Sequence, residues 1–293
     1  MNPIQRIPLE GLFNTRDLGG IETLDGYRVR PRRLIRSGQL YHMTENDKKV
    51  LSDEYGLKSI VDFRTLDEQA EKPDPHIEGA THISNPILQT MAAGITHDET
   101  SEKMTLEEAT LAMKEHGVDP TFYMQKLYED IITSDYSLKQ YAQFFRILAR
   151  QEEGATLWHC SAGKDRVGMG TAMLLYTLDV DMDTIIEDYM MTAAFLKDEV
   201  ELILKRLSAA ITDPGQIESL RICMGVKENY IKRVFQIMEE TSGSIRQFLK
   251  DKIGLSESMA DTLKALYLEY NGIKLRKISH HIIVVWDFFI EKY

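Results

Sequence analysis

The sequence predicts an α/β fold with a helical C-terminal part, and three observations point there. Strand-type runs interleave with helix signals through the first two-thirds of the chain, and the pattern then turns helical. The 293 residues are 43% hydrophobic and 28% charged, an average globular composition that excludes collagen-like, low-complexity and wholly disordered chains. The two cysteines, Cys160 and Cys223, are too few for a disulfide-dense scaffold or a cysteine-rich zinc or iron–sulfur domain. A net charge of −11 argues against nucleic acid or an anionic membrane as a partner of the bulk surface. The charge is uneven: residues 1–36 hold seven Arg and four acids, so they carry +3 and the rest −14. This Arg-rich start is either a local anion site or a solvated face.

Along the chain, residues 11–40 are rich in Gly and Arg and predict short strands and turns, with Asp25-Gly26 as a hairpin-type turn before Tyr27. Residues 45–56 predict a helix, and Lys58–Phe63 a buried strand. Pro73, Pro75 and Gly79 punctuate a loop before a second short strand near Thr81–Ile83. Thr105 and Glu108 make a capping-box pattern, so a helix is expected there, with Leu106, Ala109 and Met113 on one face. Residues 85–135 therefore form either a packed helical hairpin or a Met-lined lid. An aromatic amphipathic helix is expected over 136–150, a strand over Ala155–Trp158, and a helix from Arg166 to about Leu178. Thr184–Glu187 predicts the cap of a helix, and the pattern is helical to Tyr270 with breaks near Pro214-Gly215, Gly243 and Gly254. No run of 18 apolar residues occurs, so no spanning helix is expected. The start lacks a basic-then-apolar leader, which makes the cytoplasm the default compartment and leaves secretion open if a leader was removed.

The segment His159-Cys160-Ser161-Ala162-Gly163-Lys164-Asp165-Arg166-Val167-Gly168 lies between a predicted strand and a predicted helix. A loop of this length can curl so that successive N–H groups and the helix N-terminus converge on one anion. Arg166 can add a two-pronged clamp on phosphate oxygens. Cys160 then lies beneath the phosphorus as a thiolate nucleophile, a field of that sign favouring ionisation. Ser161, Ala162, Gly163, Lys164 and Val167 complete the expected phosphate cradle. Cys223, beside Ile222 and Met224 in a helical stretch, is expected to be packing. The eight His form no metal-ligand spacing with Cys, so no metal and no cofactor are expected.

His159 to Gly168 resembles the HCxxGKDRTG loop of bacterial tyrosine/lipid phosphatases of the mycobacterial PtpB type. Phe13–Gly20, Leu34–Leu40, Ile60–Arg64 with Glu68 and Pro73-Asp74, and Gly243–Leu249 with Ile253–Ser256 are similar to further segments of that group. The resemblance covers about residues 11–270. It implies a cysteine-phosphatase fold with a central sheet and helices on both sides, a helical lid insertion near 85–135, and one domain over 1–272 with a tail at 273–293. It implies Cys160 as nucleophile, Arg166 as phosphate clamp, and a phosphorylated protein or phosphoinositide as substrate, with Lys164 a partner for extra ring phosphates. Asp165 is the expected general acid and Asp62 its rival, unless Asp62 orients Arg166 or Arg64. His159, Arg64, Arg16 and Asp17 are accessory candidates; Arg16 and Asp17 either brace the loop or form an internal ion pair. Two departures stand out. Val167 replaces the hydroxyl residue expected after Arg and cannot donate a hydrogen bond. The tail, with the β-prone run Ile282–Trp286, has no counterpart in the group.

Overall fold

The computed structural model describes residues 5–90, 106–207, 211–270, 275–278 and 281–284. In chain order these comprise β1 (Gln5–Arg6), β2 (Arg16–Asp17), β3 (Tyr27–Val29), β4 (Leu34–Ser37), α1 (Glu45–Lys49, prolonged by a π-helical turn over Val50–Glu54), β5 (Leu57–Asp62), α2 (Leu66–Glu71) and β6 (Thr81–Ser84). There follow α3 (Leu106–Glu115), α4 (Pro120–Thr133), α5 (Asp135–Leu148), β7 (Ala155–His159), α6 (Asp165–Thr177), α7 (Met182–Leu207) and α8 (Pro214–Met224). The chain continues through α9 (Glu228–Ser242), α10 (Ile245–Phe248, prolonged by a π-helical turn over Leu249–Ile253), α11 (Glu257–Tyr267), β8 (Leu268–Tyr270), β9 (Leu275–Ile278) and β10 (His281–Val284).

Six strands form one sheet in the order β1-β2-β4-β7-β5-β6. The β4–β7, β7–β5 and β5–β6 pairs are parallel, and the β1–β2 and β2–β4 pairs antiparallel. β7 is wholly buried, as a parallel strand covered on both faces must be, which explains its unbroken apolar run. Alternation along the strands splits the core. Ile35, Leu57, Ile60 and Leu157 face a smaller cluster closed by Leu51. Leu34, Val61, Phe63 and Trp158 face a larger one built with α4, α5, α6 and α9. β7 thus carries its C-terminal end to the middle of an α/β sandwich, where the carboxyl ends of parallel strands leave a crevice.

Several elements differ from the sequence expectation. The first helix ends at Glu54, and Gly56, with φ +60°, turns the chain into β5. α7 begins at Met182: the cap is Asp181, whose carboxylate accepts from the Thr184 N–H (3.0 Å) and hydroxyl (2.6 Å). Residues 268–270, read as helical, form β8, which pairs antiparallel with β3; a three-residue strand is set by its partner and leaves no periodic signal. The Thr105 cap lies outside the described residues, as do residues 91–105 of the 85–135 segment. Within the rest, α4 is a core helix that buries Met124, Tyr128, Ile131 and Ile132, so the lid reading does not extend to its inner face. In the tail, β9 and β10 pair with each other, His281 opposite Ile278.

Candidate active site

The register of the sheet sets His159 opposite Ser37 on one side and Asp62 on the other. The chain leaves β7 there, passes through Cys160–Lys164 and enters α6 at Asp165. Three successive carbonyls of this loop are tied outward. Ser161 O accepts from the Gln39 N–H (2.9 Å) and Ala162 O from the Asn14 side chain (3.0 Å). Gly163 O accepts from both Asn14 (3.0 Å) and the Arg36 guanidinium (2.9 Å). With its carbonyls tied in this way, the loop runs directly into the N-terminus of α6, an arrangement able to nest an anion. Gly163 is required: its φ is +69°, and a Cβ would stand 2.4 Å from Ser37 O. Cys160, a free cysteine 2% exposed, opens this bowl.

Arg166 is gripped from α2. Its Nη1 and Nη2 donate to the two Glu68 carboxylate oxygens at 2.7 and 3.0 Å, and Nη2 also donates to the Ser161 hydroxyl at 3.0 Å. The Ser161 hydroxyl donates in turn to Glu68. Burial pushes the Glu68 carboxyl up, but the Arg166 guanidinium and the Ser161 hydroxyl outweigh it and hold it down at about 2. Burial works against the Arg166 charge, yet Cys160 and Glu68 raise its pKa above the ordinary value. Glu68 also caps its own helix: its carboxylate accepts from the Thr65 N–H at 2.8 Å while the Thr65 hydroxyl accepts from the Glu68 N–H. This Thr65-x-x-Glu68 capping box fixes the carboxylate at the N-terminus of α2, from where it also reaches Arg166.

Asp165, at the first position of α6, accepts through Oδ1 from Lys164 Nζ (2.7 Å) and from the Tyr128 hydroxyl (2.8 Å). Tyr128 is bonded to the Tyr189 hydroxyl at 2.7 Å. Burial, then the charge of Asp165, pushes both phenols well above their usual pKa, so they stay protonated. Tyr141 donates to Arg166 O at 2.9 Å and fixes the first turn of α6. Lys164 is 5% exposed, so its ammonium is committed to Asp165. Val167, expected in the cradle, instead points its side chain into the larger core. Cys223 is buried on α8; burial pushes its thiol up to about 11, as fits packing.

The accessory candidates separate into two groups. Arg16 and Arg36 are fully buried and share Asp188 of α7: Arg16 Nε donates to Oδ1 at 2.8 Å, and Arg36 pairs with Oδ2. Burial pushes Asp188 up, but the two guanidiniums outweigh it and keep it ionised. Arg16 braces the loop indirectly, bonded to the Asn14 carbonyl that belongs to the side chain holding Ala162 and Gly163. Asp17 does not share this role; its carboxylate caps the turn at Gly19 (2.9 Å) and Arg32 (2.7 Å). The second group lies beneath the loop. His159 Nε2 meets Asp74 at 2.8 Å, and Arg64 bridges Asp62 (2.6 Å) and Asp74 (2.7 Å). Asp62 therefore orients Arg64, with both its oxygens engaged. The possible ligand atoms of Asp62, Asp74 and His159 lie within 4.8 Å of one another, a cluster no linear spacing revealed, but the Arg64 cation already serves both carboxylates. Asn14 and Arg36 stood inside segments quoted for the family resemblance; Asp188, 152 positions after Arg36, had no sequence signal.

A model of the tyrosine phosphatase family matches residues 7–269. The triple specificity protein phosphatase PtpB of Mycobacterium tuberculosis is 24% identical over 282 residues, which cover 89% of this chain and 98% of that one. A tyrosine-protein phosphatase of Nostoc commune is 28% identical over 165 residues, 56% of this chain and 50% of that one. Among solved structures, Pseudomonas aeruginosa TpbA in complex with phosphotyrosine is 16% identical, covers 75% of this chain and 98% of its own, and superposes with a TM-score of 0.29.

Proposed function

The chain belongs to the tyrosine phosphatase family, and on that footing we propose that it hydrolyses phosphate monoesters of tyrosine and of phosphoinositides through a phosphocysteine at Cys160. Family membership supports protein-tyrosine phosphatase activity, and PtpB, a relative along most of its length, is named for triple specificity. The observation that carries the reading is the loop itself: carbonyls drawn outward by Gln39, Asn14 and Arg36, Cys160 in the bowl, and Arg166 pre-aimed by Glu68.

In this mechanism the Cys160 thiolate attacks phosphorus in line, an S–P bond forms and the P–O bond to the leaving group breaks. The loop N–H groups and Arg166 stabilise the three equatorial oxygens. Asp165 gives its proton to the leaving oxygen; its Oδ1 carries the Lys164 and Tyr128 bonds, so Oδ2 is the oxygen to hold that proton. Water then attacks phosphorus, Asp165 takes a proton back, and the S–P bond breaks to release phosphate and the thiolate. Lys164, held on Asp165 in the free protein, would have to give up that bond to meet a second phosphate on an inositol ring.

A second reading, a phosphate-binding module with little turnover, is favoured by Val167, which offers no hydroxyl to the departing thiolate, and by the prior engagement of Ser161 with Glu68 and Arg166. Rapid-quench kinetics on p-nitrophenyl phosphate, a phosphotyrosine peptide and a panel of phosphoinositides separate the two. Turnover that vanishes in Cys160→Ser supports the enzyme. A phenolate burst followed by a slow phase places the limit at phosphoenzyme hydrolysis. Binding with neither burst nor steady rate supports the module, and full activity in Cys160→Ser sinks the phosphocysteine.

A further inference from the structure

Gly168 ends the segment that carries Cys160, Asp165 and Arg166, and no step of the reaction uses it. A Cβ there would stand 3.0 Å from Cδ2 and 3.1 Å from Cε2 of Tyr189, tighter than ordinary packing, so glycine lets the Tyr189 ring lie against the first turn of α6. From α7, the Tyr189 hydroxyl meets that of Tyr128 on α4 at 2.7 Å, with the rings edge to face and their centroids 6.3 Å apart. Tyr128 in turn donates to Asp165 Oδ1 at 2.8 Å. A phenol has a single proton to give. Tyr128 spends its own on Asp165, so Tyr189 is the donor in the phenol pair, and the bonds run from Tyr189 to Tyr128 to Asp165. Bonds in such a series polarise one another. Lys164 Nζ, the other donor to Oδ1 at 2.7 Å, ends a flexible stem and is open to competition from a substrate phosphate. The two phenols are buried, on rigid helices, and are not.

We propose that Tyr128 and Tyr189 are positioning residues for proton transfer: together they fix the Asp165 carboxylate so that Oδ2 faces the leaving group. Holding Oδ1 stops the carboxylate from turning about its last torsion and exchanging its oxygens. The proton then leaves Oδ2 for the ester oxygen as the P–O bond breaks, and Oδ2 recovers one from the attacking water as the S–P bond breaks. A hydrogen bond to the ionised form also makes Asp165 the readier acid. The proposal rests on Asp165 being the general acid of the phosphatase reading. The other titratable groups facing Asp165 are Lys164, Arg166 on α6, Tyr123 on α4, Tyr141 on α5, Cys223 on α8 and Tyr230 on α9. Burial pushes Tyr123 and Tyr230 up to about 12, Cys223 up to about 11 and Tyr141 well above its ordinary value, so these four keep their protons through the neutral range.

The test is kcat and KM against pH on phenyl phosphate, whose phenolate leaves only with a proton, and on p-nitrophenyl phosphate, whose leaving group needs little help. Tyr128→Phe keeps the ring and removes the donor. Its kcat on phenyl phosphate is expected to fall about tenfold, a fraction of the ~10²–10⁴ that a general acid contributes, and on p-nitrophenyl phosphate about twofold. KM should stay within about twofold. The basic limb of the profile, the one that Asp165→Asn abolishes, should move up by about half a pH unit, because the ionised carboxylate has lost a donor. Tyr189→Phe, one bond further out, should act in the same sense and by less. Tyr230→Phe, whose ring lies 5.5 Å from that of Tyr128 but whose hydroxyl is not bonded to Asp165, should leave the ratio of the two substrates alone. On top of Asp165→Asn, Tyr128→Phe should cost nothing further. Equal losses on the two substrates, the same change of ratio in Tyr230→Phe, or a full second loss on top of Asp165→Asn overturns the positioning role, because the phenols are then packing alone. Undiminished turnover of phenyl phosphate by Asp165→Asn overturns the general acid beneath it, and no turnover of either substrate by the unmutated protein overturns the phosphatase reading itself.

Discussion

Glu68 holds three groups with one carboxylate: the Thr65 N–H, the Ser161 hydroxyl and two arms of Arg166. A guanidinium has five N–H donors, so two spent on Glu68 fix its plane and leave others for phosphate. Glu68→Gln keeps the shape and removes the charge. Its kcat/KM on a phosphotyrosine peptide is expected to fall about tenfold to a hundredfold, the cost of a clamp displaced by about an ångström. The pH dependence has a definite sign. The folded carboxyl is held at about 2 against an ordinary 4.5, so the stability it contributes is complete above about pH 4.5 and is lost as pH falls through about 2. The stability difference between wild type and Glu68→Gln should shrink over that interval in urea melts; a difference flat across it would mean that the ion pair does not stabilise the fold. At this scale the sequence pointed to Cys160, Arg166 and Asp165 as candidate nucleophile, clamp and acid, because the three lie within seven consecutive residues. Glu68, Asn14 and Asp74 stood in segments that resemble the family, but their bonding partners could not be read there, because those contacts exist only once the chain is folded and β5 and β7 stand side by side.

The element that does most for the site, apart from α6, is α7. Sequence patterning shows it as a helix with an acidic start, and nothing local marks Asp188 as the anion between two buried arginines. That pairing needs β2 and β4 adjacent in the sheet, so that Arg16 and Arg36 are cross-strand neighbours, and α7 laid across them. The two cations repel, and Asp188 is what permits both to be buried; Arg36 then has one arm free for Gly163 O. Asp188→Asn retains the shape but leaves two buried guanidiniums without a counter-charge. Breaking a buried pair in this way is expected to cost about 3–5 kcal/mol. Phosphate affinity should fall with it, because Arg36 no longer holds the loop carbonyl outward. A thermal melt and an inorganic phosphate titration on the same sample check both effects, and a variant as stable as wild type that binds phosphate normally would show that the loop is set without α7.

At the scale of the molecule, an average composition and a strand–helix order were enough to predict the α/β sandwich, because strands inside a parallel sheet are buried on both faces, and β7 is buried throughout while β5 is buried at every position but Lys58. β2 and β3 fall in the stretch read as short strands and turns, whereas β1 and β8 were not legible, since two or three residues are strand only by virtue of the chain beside them. β8 bears on where the fold closes. Leu268 is 7% exposed within the larger core, its carbonyl accepts from Arg30 Nε at 2.8 Å, and β8 pairs along its length with β3. The match to the family stops one residue short of the end of β8, at 269. β9 and β10, beyond it, pair with each other. A chain cut after Tyr270 is therefore expected to keep its phosphatase activity and a melting temperature within about 2 °C of the full chain, the scale of a change that leaves the core intact. A cut before Leu268 should cost far more, because it strips β3 of its partner and Arg30 of its acceptor. Circular dichroism melts of the two truncations beside the full chain decide the boundary: if removing residues 271–293 destabilises the protein as much as removing 268–293, the tail is part of the folded domain and closure does not occur at β8.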